Sequence, residues 1–197
     1  SGNIVQTENV VAVIEGSEKP NEYIIISSHL DHEGEKNGVI YNGADDNGSG
    51  TIAVLKVAEA FQNAVLSGYR PKRSIIFLHL TGEEKGLLGS KFYTDNPLYP
   101  LENTMVNLNI DMIGRIDPRH KNNVERYIYL IGTNLLSSEL HEISESTNKN
   151  TTKLYLDYKY NDIDQLECIY YRSDHFHFVK NNIPAIFYFN GVHEDYH

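Results

Sequence analysis

Short apolar runs, separated by longer polar or amphipathic segments, organise this chain. The runs have the length and continuity of strands, and they lie at residues 10–14, 23–28, 74–80, 104–110, 127–131 and 183–189. Between them, apolar residues recur at helical spacing after Ser49 and at Leu136, Leu140 and Ile143, and a further helix is expected from Gly86 to Tyr93. This alternation predicts an α/β fold, a three-layer α/β/α sandwich on a largely parallel, mixed central sheet.

Polar, glycine-rich or proline-containing segments are predicted to connect these elements. Residues 31–47 are expected to form a loop, and residues 117–125 a surface loop. A turn is expected around Gly16-Ser17 and Lys19-Pro20-Asn21, and Ser49 is a candidate N-cap for the helix that follows it.

The composition limits the possible functions. The chain has 197 residues, which is enough for one domain with a sizeable core, and its formal net charge is -10. That charge argues against nucleic acid as a partner and suits a site for divalent cations or for a peptide amine. No apolar run reaches the roughly 18 residues of a membrane span. Cys168 is the single cysteine, so it forms no internal disulfide, and we expect a packed small side chain.

Acidic residues and histidines follow the ends of several predicted strands. Glu83 and Glu84 are adjacent in TGEEKG, where two carboxylates repel one another unless a cation offsets the charge; the alternative is a solvated acidic turn before a helix. Similar positions at strand ends or helix starts are occupied by His29, Asp31, Asp45, Asp46, Asp111, His193 and His197. In open α/β sheets the carboxyl ends of the strands form the rim where ligands bind, so we predict a metal site there.

The types of these residues indicate which metal chemistry to expect. Imidazole and carboxylate without thiolate suit a catalytic zinc site rather than a structural one. The residues come from five separate segments of the chain. Five ligands, one from each segment, are too many for one open tetrahedral site, but they suit two metals that share a bridging carboxylate.

Six segments of the chain resemble, in order and context, those of the co-catalytic zinc aminopeptidases of metallopeptidase family 28, clan MH. These segments are HLDH, GADDNGSG, TGEEKGLLGS, NIDMIGR, RSDH and HEDYH. The resemblance covers residues 9–197. It implies that residues 1–197 are a single zinc-peptidase catalytic domain, truncated at its C-terminus because relatives continue with a loop and a closing helix. Many relatives are exported, so we expect a periplasmic, membrane-anchored or secreted protein. The oligomeric state is left open.

The resemblance also implies a set of metal ligands for two zinc ions. His29 and Asp111 would bind one zinc ion, and Glu84 and His197 the other. Asp46 resembles the bridging carboxylate, and the glycines around it fit a tight turn.

Three further roles follow from the same resemblance. Glu83 resembles the general base for a metal-bridging hydroxide that attacks the N-terminal peptide bond of a substrate with a free amine. Asp31 would accept a hydrogen bond from the far ring nitrogen of His29. Tyr196 matches a tyrosine that in some relatives donates to the oxyanion.

Several alternatives remain open from the sequence. The protein could instead be a carboxypeptidase, a dipeptidase or a glutaminyl cyclase of the same family, or a non-catalytic binding domain; the complete two-metal set argues against the last two. His193 competes with His197 for one ligand role, and His175 could line the substrate pocket or be a core residue. The remaining expectations are an Asx turn or helix cap at Asp45, no role for His32, a packed His79, and surface positions for His120 and His141.

Overall fold

A seven-stranded sheet forms the centre of the molecule. The computed structural model describes residues 6–120, 126–162 and 167–197. The strands are β1 (Val10–Ile14), β2 (Lys19–His29), β3 (Gly34–Lys36), β4 (Val39–Tyr41), β5 (Arg73–Leu80), β6 (Thr104–Ile110), β7 (Tyr127–Ile131), β8 (Tyr155–Asp157) and β9 (Ala185–Phe189). The helices are α1 (Gly48–Leu66), α2 (Leu88–Asp95), α3 (Ser138–Asn150) and α4 (His175–Lys180). Short 3₁₀ turns lie at Leu101–Asn103, Pro118–His120 and Ile169–Tyr171.

The order of strands in the sheet is β1-β5-β2-β6-β9-β7-β8. The central strands β5, β2, β6 and β9 are mutually parallel, whereas β1 runs antiparallel to β5 and β7 antiparallel to β9. The predicted largely parallel, mixed sheet is therefore confirmed. Because the four central strands point the same way, their carboxyl ends meet at one edge of the sheet.

Helices cover both faces of the sheet. Alternate residues of β5 point to opposite sides: Ile75 and Phe77 pack with Val54 of α1, whereas Ile76 and Leu78 pack in the cluster that contains residues of α2 and α4. Such alternation is the expected period of a strand. The layers are thus helix, sheet and helix, as predicted. In the described ranges, no helix has the length and apolar character needed to cross a membrane.

Local structure differs from the sequence-based expectation in two segments near the amino end. The predicted loop 31–47 contains the β3–β4 hairpin. The expected turn is found at Ser17 but does not extend to Lys19-Pro20-Asn21, which is part of β2. The N-cap of α1 is Asn47 rather than Ser49, because the Asn47 side chain accepts a hydrogen bond from Gly50 N. The hydroxyl of Ser49 instead donates to the carbonyl of Asp45 and accepts from Ile113 N.

Some expectations about side-chain burial were wrong. Cys168 is exposed rather than packed. His120, expected at the surface, is buried: its ring stacks on Tyr127 and its Nε2 lies 3.0 Å from an oxygen of Asp157. Asp117, at the start of the predicted surface loop 117–125, is also buried. The rest of that loop, residues 121–125, lies outside the described residues.

Candidate metal centre

The predicted ligands meet at the carboxyl edge of the sheet. His29 is the last residue of β2, and Asp111 directly follows β6. Glu84 lies in the loop after β5, Asp46 lies just before α1, and His197 lies in the segment after β9. Five separate segments therefore deliver one side chain each to this edge, as the sequence predicted.

These side chains form two adjoining groups. The inner cluster consists of His29, Glu83 and Asp111, and the outer cluster consists of His32, Asp46, Glu84 and His197. Within each cluster, one nitrogen or oxygen atom from every residue lies within 4.8 Å of those of the other members. In the inner cluster, His29 Nε2 is 3.4 Å from Asp111 Oδ1. In the outer cluster, His197 Nε2 is 3.4 Å from Glu84 Oε2.

Asp46 links the two clusters. Its Oδ1 lies 3.2 Å from His29 Nε2, and its Oδ2 lies 3.1 Å from His197 Nε2. One carboxylate therefore directs one oxygen to each cluster. This is the arrangement that a bridging ligand between two cations requires. The peptide bond that follows Asp46 is cis.

Buried polar atoms without hydrogen-bond partners show that the site is suited to cations. Among the described residues, four such atoms converge here: His29 Nε2, His32 Nδ1, Glu84 Oε1 and Asp111 Oδ1. An unsatisfied buried polar atom costs about 1–3 kcal/mol, so four of them in one place require compensation. Imidazole nitrogen and carboxylate oxygen are the donors that catalytic zinc sites use. The residues present therefore fit zinc in both clusters.

The ring of His29 is oriented by the backbone rather than by a carboxylate. Its Nδ1 donates to the carbonyl oxygen of Asp31 at 3.0 Å, whereas the nearest carboxylate oxygen of Asp31 is 3.8 Å away. Because a carbonyl only accepts, this bond leaves the lone pair on His29 Nε2, which faces Asp46 and Asp111. The expected bond from His29 to the carboxylate is thus replaced by one to the main chain of the same residue.

The carboxylate of Asp31 holds the loop that carries the two glutamates. It accepts hydrogen bonds from the backbone N–H groups of Glu83 at 3.1 Å and Glu84 at 3.3 Å. The loop after β2 is thereby tied to the loop after β5. Asp31 consequently acts on both clusters through the position of this loop.

A chain of buried hydrogen bonds ends on Asp111. Asn107 donates to the hydroxyl of Ser27, which donates to Asn109; Asn109 donates to Ser173, and Ser173 donates to Asp111 Oδ2, each at 2.8 Å. The polar face of β6 therefore serves to fix one carboxylate. Ser173 was not identified as a site residue from the sequence, although it lies in the RSDH segment.

Asp45 and His193 pair with each other, away from the two clusters. His193 Nε2 is 2.9 Å from Asp45 Oδ2, and Asp45 Oδ1 accepts from Gly114 N at 2.6 Å. The Asx turn or helix cap expected at Asp45 is therefore wrong, since Asn47 caps α1. Of the two competing histidines, His197 is the one that the structure brings to the clusters.

Burial and crowding of carboxylates perturb the titration of Glu83. Burial, together with the nearby charges of Asp111, Asp174 and Glu84, raises the pKa of Glu83 to about 9, although His29 opposes the shift. A carboxyl group with a high proton affinity suits a role in proton transfer. Burial also disfavours the charged form of His29, but the carboxylates of Asp111 and Asp46 outweigh it and raise the pKa of the ring.

Tyr196 lies beside the clusters and borders two cavities. Its ring stacks on His197, its hydroxyl accepts a hydrogen bond from Arg172 at 3.1 Å, and burial raises the pKa of its phenol to about 12. One cavity, of about 390 Å³, is open to solvent and is also lined by His32 and Asp46. The other is a small pocket next to Glu83 whose apolar walls are Met112, Ile169, Phe187, Phe189 and Val192.

The other histidines occupy packed positions. His175 is a core residue that is fully buried against Phe187, and burial lowers the pKa of its ring to about 3. His79 is packed as predicted, with Nδ1 3.1 Å from the hydroxyl of Ser28. His141 is half-buried rather than at the surface, 2.9 Å from the hydroxyl of Thr133.

The outer cluster contains one residue to which the sequence interpretation assigned no role. His32 Nδ1 lies 2.8 Å from Glu84 Oε1. A signal was present in the sequence, since His32 is the second histidine of HLDH and follows His29 by three residues.

Known proteins resemble this chain in sequence and in fold. A leucine aminopeptidase 2 of Arthroderma otae is 32% identical over 190 residues, which are 94% of this chain and 34% of that protein. A probable glutamate carboxypeptidase of Arabidopsis thaliana is 34% identical over 109 residues, 55% of this chain and 15% of that protein. The zinc aminopeptidase BSAP from Bacillus subtilis has the same fold, with a TM-score of 0.72 at 24% identity over 96% of this chain and 42% of that one.

The chain thus spans less than half the length of each of these proteins. The family model for peptidase family M28 matches residues 9–197, which is nearly the whole chain. The matched range contains every residue of the inner and outer clusters. This chain belongs to peptidase family M28.

Proposed function

We propose that the protein to which this chain belongs is a di-zinc exopeptidase of the aminopeptidase type, which hydrolyses the N-terminal peptide bond of a peptide with a free amine. The single observation that carries the proposal is the carboxylate of Asp46, which directs one oxygen to each of the two clusters. The names of the relatives, a leucine aminopeptidase and a zinc aminopeptidase among them, support this choice of reaction.

The residues divide into two ligand sets that share Asp46. His29 and Asp111 would hold one zinc ion, and Glu84 and His197 would hold the other. When bound, two zinc ions lower the pKa of water and polarise the carbonyl group of a substrate. All four unshared ligands are anchored at the carboxyl edge of the sheet, so a peptide would approach from the open side of that edge.

Glu83 is the proposed general base and acid. It lies in the inner cluster beside His29 and Asp111 and also lines the small apolar pocket. Beside bound zinc cations the carboxyl group of Glu83 would be ionised despite its raised pKa, and from this position it would take the proton of the attacking water and then give it to the leaving amine. Asp31 holds the backbone N–H of Glu83 and so fixes the position from which the proton moves.

Tyr196 is the proposed donor to the developing oxyanion. Tyr196 borders the small apolar pocket, and because its hydroxyl accepts from Arg172 the hydroxyl proton is free to be donated elsewhere. The raised pKa keeps the phenol protonated at neutral pH, as a hydrogen-bond donor must be.

The balance of charges at the site favours a free amine over a free carboxylate in the substrate. The chain carries a net charge of -10, and the rim is rich in carboxylates. The guanidinium group of Arg115 is already paired with Asp195 at 2.6 Å. A carboxypeptidase is the second candidate, because Arg172 lines the small apolar pocket and could bind a terminal carboxylate.

Glu83→Gln in the full-length protein tests the proposed mechanism. We expect two bound zinc ions, as in the unmodified protein, and a turnover of aminoacyl anilides that falls by roughly 10²–10⁴. Zinc content by elemental analysis and initial rates are the two measurements. Glu59→Gln, an exposed change on α1 that only removes a pair with Lys56, is the control and should leave both values unchanged.

Several results would contradict the proposal. Unchanged turnover of Glu83→Gln would remove Glu83 from the mechanism. A preference for C-terminal over N-terminal cleavage in a panel of blocked peptides would favour the carboxypeptidase. Two tightly bound zinc ions without any hydrolysis would favour a binding domain.

A further inference from the structure

His32 contacts the outer cluster but has no place among the five ligands proposed above. Its side chain is mostly buried, and its Nδ1 points at the carboxylates of that cluster, 2.8 Å from Glu84 Oε1 and 3.9 Å from Asp46 Oδ2. Its ring lies edge-on to that of His197, with the ring centres 5.5 Å apart. His32 and His197 thus approach the same two carboxylates from different sides.

The contact between His32 and Glu84 is close but is not a hydrogen bond. Among the described residues, neither His32 Nδ1 nor Glu84 Oε1 has a hydrogen-bond partner, although the two atoms are 2.8 Å apart. Zinc–nitrogen and zinc–oxygen bonds are about 2.0–2.2 Å long, so two ligand atoms on one tetrahedral ion lie roughly 3.3–3.6 Å apart. His32 Nδ1 and Glu84 Oε1 are slightly closer together than this, and a relative shift of about 0.5–0.8 Å would let both bind the same cation.

The backbone before Asp46 is shaped to accommodate this ring. Gly43 has a φ of +64°, and a Cβ atom there would lie 2.6 Å from Cβ and 2.7 Å from Cγ of His32. Any larger residue at position 43 would displace the ring from the cluster. The loop that carries the bridging carboxylate therefore also fixes His32.

From this geometry we propose that His32 Nδ1 is a direct ligand of the outer zinc ion, in addition to Asp46, Glu84 and His197. The inference rests on the proposed di-zinc function and extends it. The outer ion then has four protein ligands, whereas the inner ion has three: His29, Asp46 and Asp111. Closed four-ligand sites are typical of structural zinc, and sites with three protein ligands keep a position for substrate. With one protein ligand fewer, the inner ion, beside Glu83, would keep the more open position for the substrate.

Zinc affinity of the metal-free full-length protein provides the first test. Competition with a chromophoric chelator measures both dissociation constants. His32→Ala should weaken one of the two by about 100-fold or more and leave the other nearly unchanged. His141→Ala, which removes a half-buried histidine outside the clusters, is the matched control and should change neither.

A second variant separates ligation from hydrogen bonding. The side-chain amide of His32→Gln can donate to Glu84 but replaces imidazole poorly as a zinc ligand. Affinity that stays low in His32→Gln supports direct ligation. Wild-type affinity in either His32→Ala or His32→Gln would overturn it.

Nuclear magnetic resonance of the unmodified protein gives a direct readout that needs no variant. With ¹¹³Cd in place of zinc and ¹⁵N-labelled histidine, we expect a one-bond coupling between cadmium and Nδ1 of His32. Coupling to His197 without coupling to His32 would overturn the inference while supporting the proposed function. If the protein binds fewer than two ions, the di-zinc function fails, and the coupling of His32 to any ion that remains still decides its role.

Discussion

Asp46 links the inner and outer clusters, but the two clusters are built in different ways. In the inner cluster, His29 ends β2 and Asp111 directly follows β6, so both are anchored in the centre of the sheet. In the outer cluster, His32 and His197 come from connecting segments. The side chain of His29 is 1% exposed, whereas that of His197 is 33% exposed.

Hydrogen bonds also hold the ligands of the inner cluster more firmly than those of the outer cluster. His29 is held by the carbonyl of Asp31, and Asp111 by the hydroxyl of Ser173. Glu84 Oε1 and His32 Nδ1 in the outer cluster lack partners, as His29 Nε2 and Asp111 Oδ1 do in the inner one, but among the described residues no second hydrogen bond orients the side chain of Glu84 or His32. Ligands with fixed orientation lose less conformational freedom on binding. We therefore expect the inner cluster to bind its zinc ion more tightly, so that the first equivalent in a titration occupies it.

The largest effect is expected from removal of the residue that the clusters share. Asp46→Ala takes one oxygen from each cluster, so both ions should bind more weakly and the second should be lost on dialysis. Because bound zinc supplies several kcal/mol of transition-state stabilisation, turnover should fall by at least about a thousandfold. Elemental analysis after dialysis and the initial rate of anilide hydrolysis are the measurements.

The neighbouring residue supplies the control for this variant. Asp45→Asn changes an adjacent carboxylate that bonds Gly114 and His193 rather than the clusters, and the amide retains an acceptor for Gly114 N. It should keep both ions. Retention of two ions in Asp46→Ala would show that the carboxylate of Asp46 is not a shared ligand.

A smaller effect, confined to one cluster, is expected from Ser173→Ala. The change removes the donor to Asp111 at the end of the buried hydrogen-bond chain. Loss of such a partner lowers metal affinity roughly 10–100-fold, and the unfolding free energy should fall by about 1–3 kcal/mol because Asn109 also loses its acceptor. Chelator competition should show that only the tighter of the two sites is weakened.

Ser74→Ala is the matched control for Ser173→Ala. Ser74 is equally buried, donates to Pro20 O at 2.7 Å and accepts from Gly16 N at 3.0 Å, far from both clusters. Its loss should lower stability by a similar amount and leave zinc affinity unchanged. If Ser173→Ala weakens the looser site instead, the inner cluster is not the tighter one.

The positions that the sequence predicted well are those determined by local pattern. An apolar run predicts a strand, and the end of the run predicts the edge of the sheet. This rule alone places His29 and Asp111 at that edge. The same rule placed Glu83 and Glu84 after β5. Their division into a metal ligand, Glu84, and a general base, Glu83, by contrast, came from the resemblance to a family rather than from periodicity.

The positions that the sequence missed depend on contacts between distant segments. Asp45 looked like a helix cap because it lies near the start of α1, but its partners are 69 and 148 residues away in the chain. His120 looked exposed because its segment is polar, but aromatic residues of β7 and β8 enclose it. His32 had no assigned role, because only the folded loop brings Glu84 to it.

The smallest predicted effect concerns two adjacent buried residues beneath the inner cluster. Burial raises the pKa of Asp174 to about 6 and lowers the pKa of His175 to about 3. The folded state therefore binds an extra proton at Asp174 between about pH 4 and 6, and stability from this group increases as the pH falls through that window. His175 has the opposite effect on stability. Below about pH 6.5 its side chain is protonated in the unfolded state but not in the folded state, so stability from this group decreases as the pH falls.

Between pH 6 and pH 5 each contribution amounts to about 1 kcal/mol, so in the metal-free wild-type protein the two nearly cancel. His175→Phe keeps an aromatic ring against Phe187 and removes the contribution of His175, so that only that of Asp174 remains. Relative to wild type, this variant should gain stability when the pH is lowered from 6 to 5. Asp174→Asn should do the reverse. Chemical unfolding in the presence of a chelator at the two pH values measures both slopes. Because burial is the main cause of both shifts, parallel slopes in the two variants would mean that water reaches these two side chains in the folded protein.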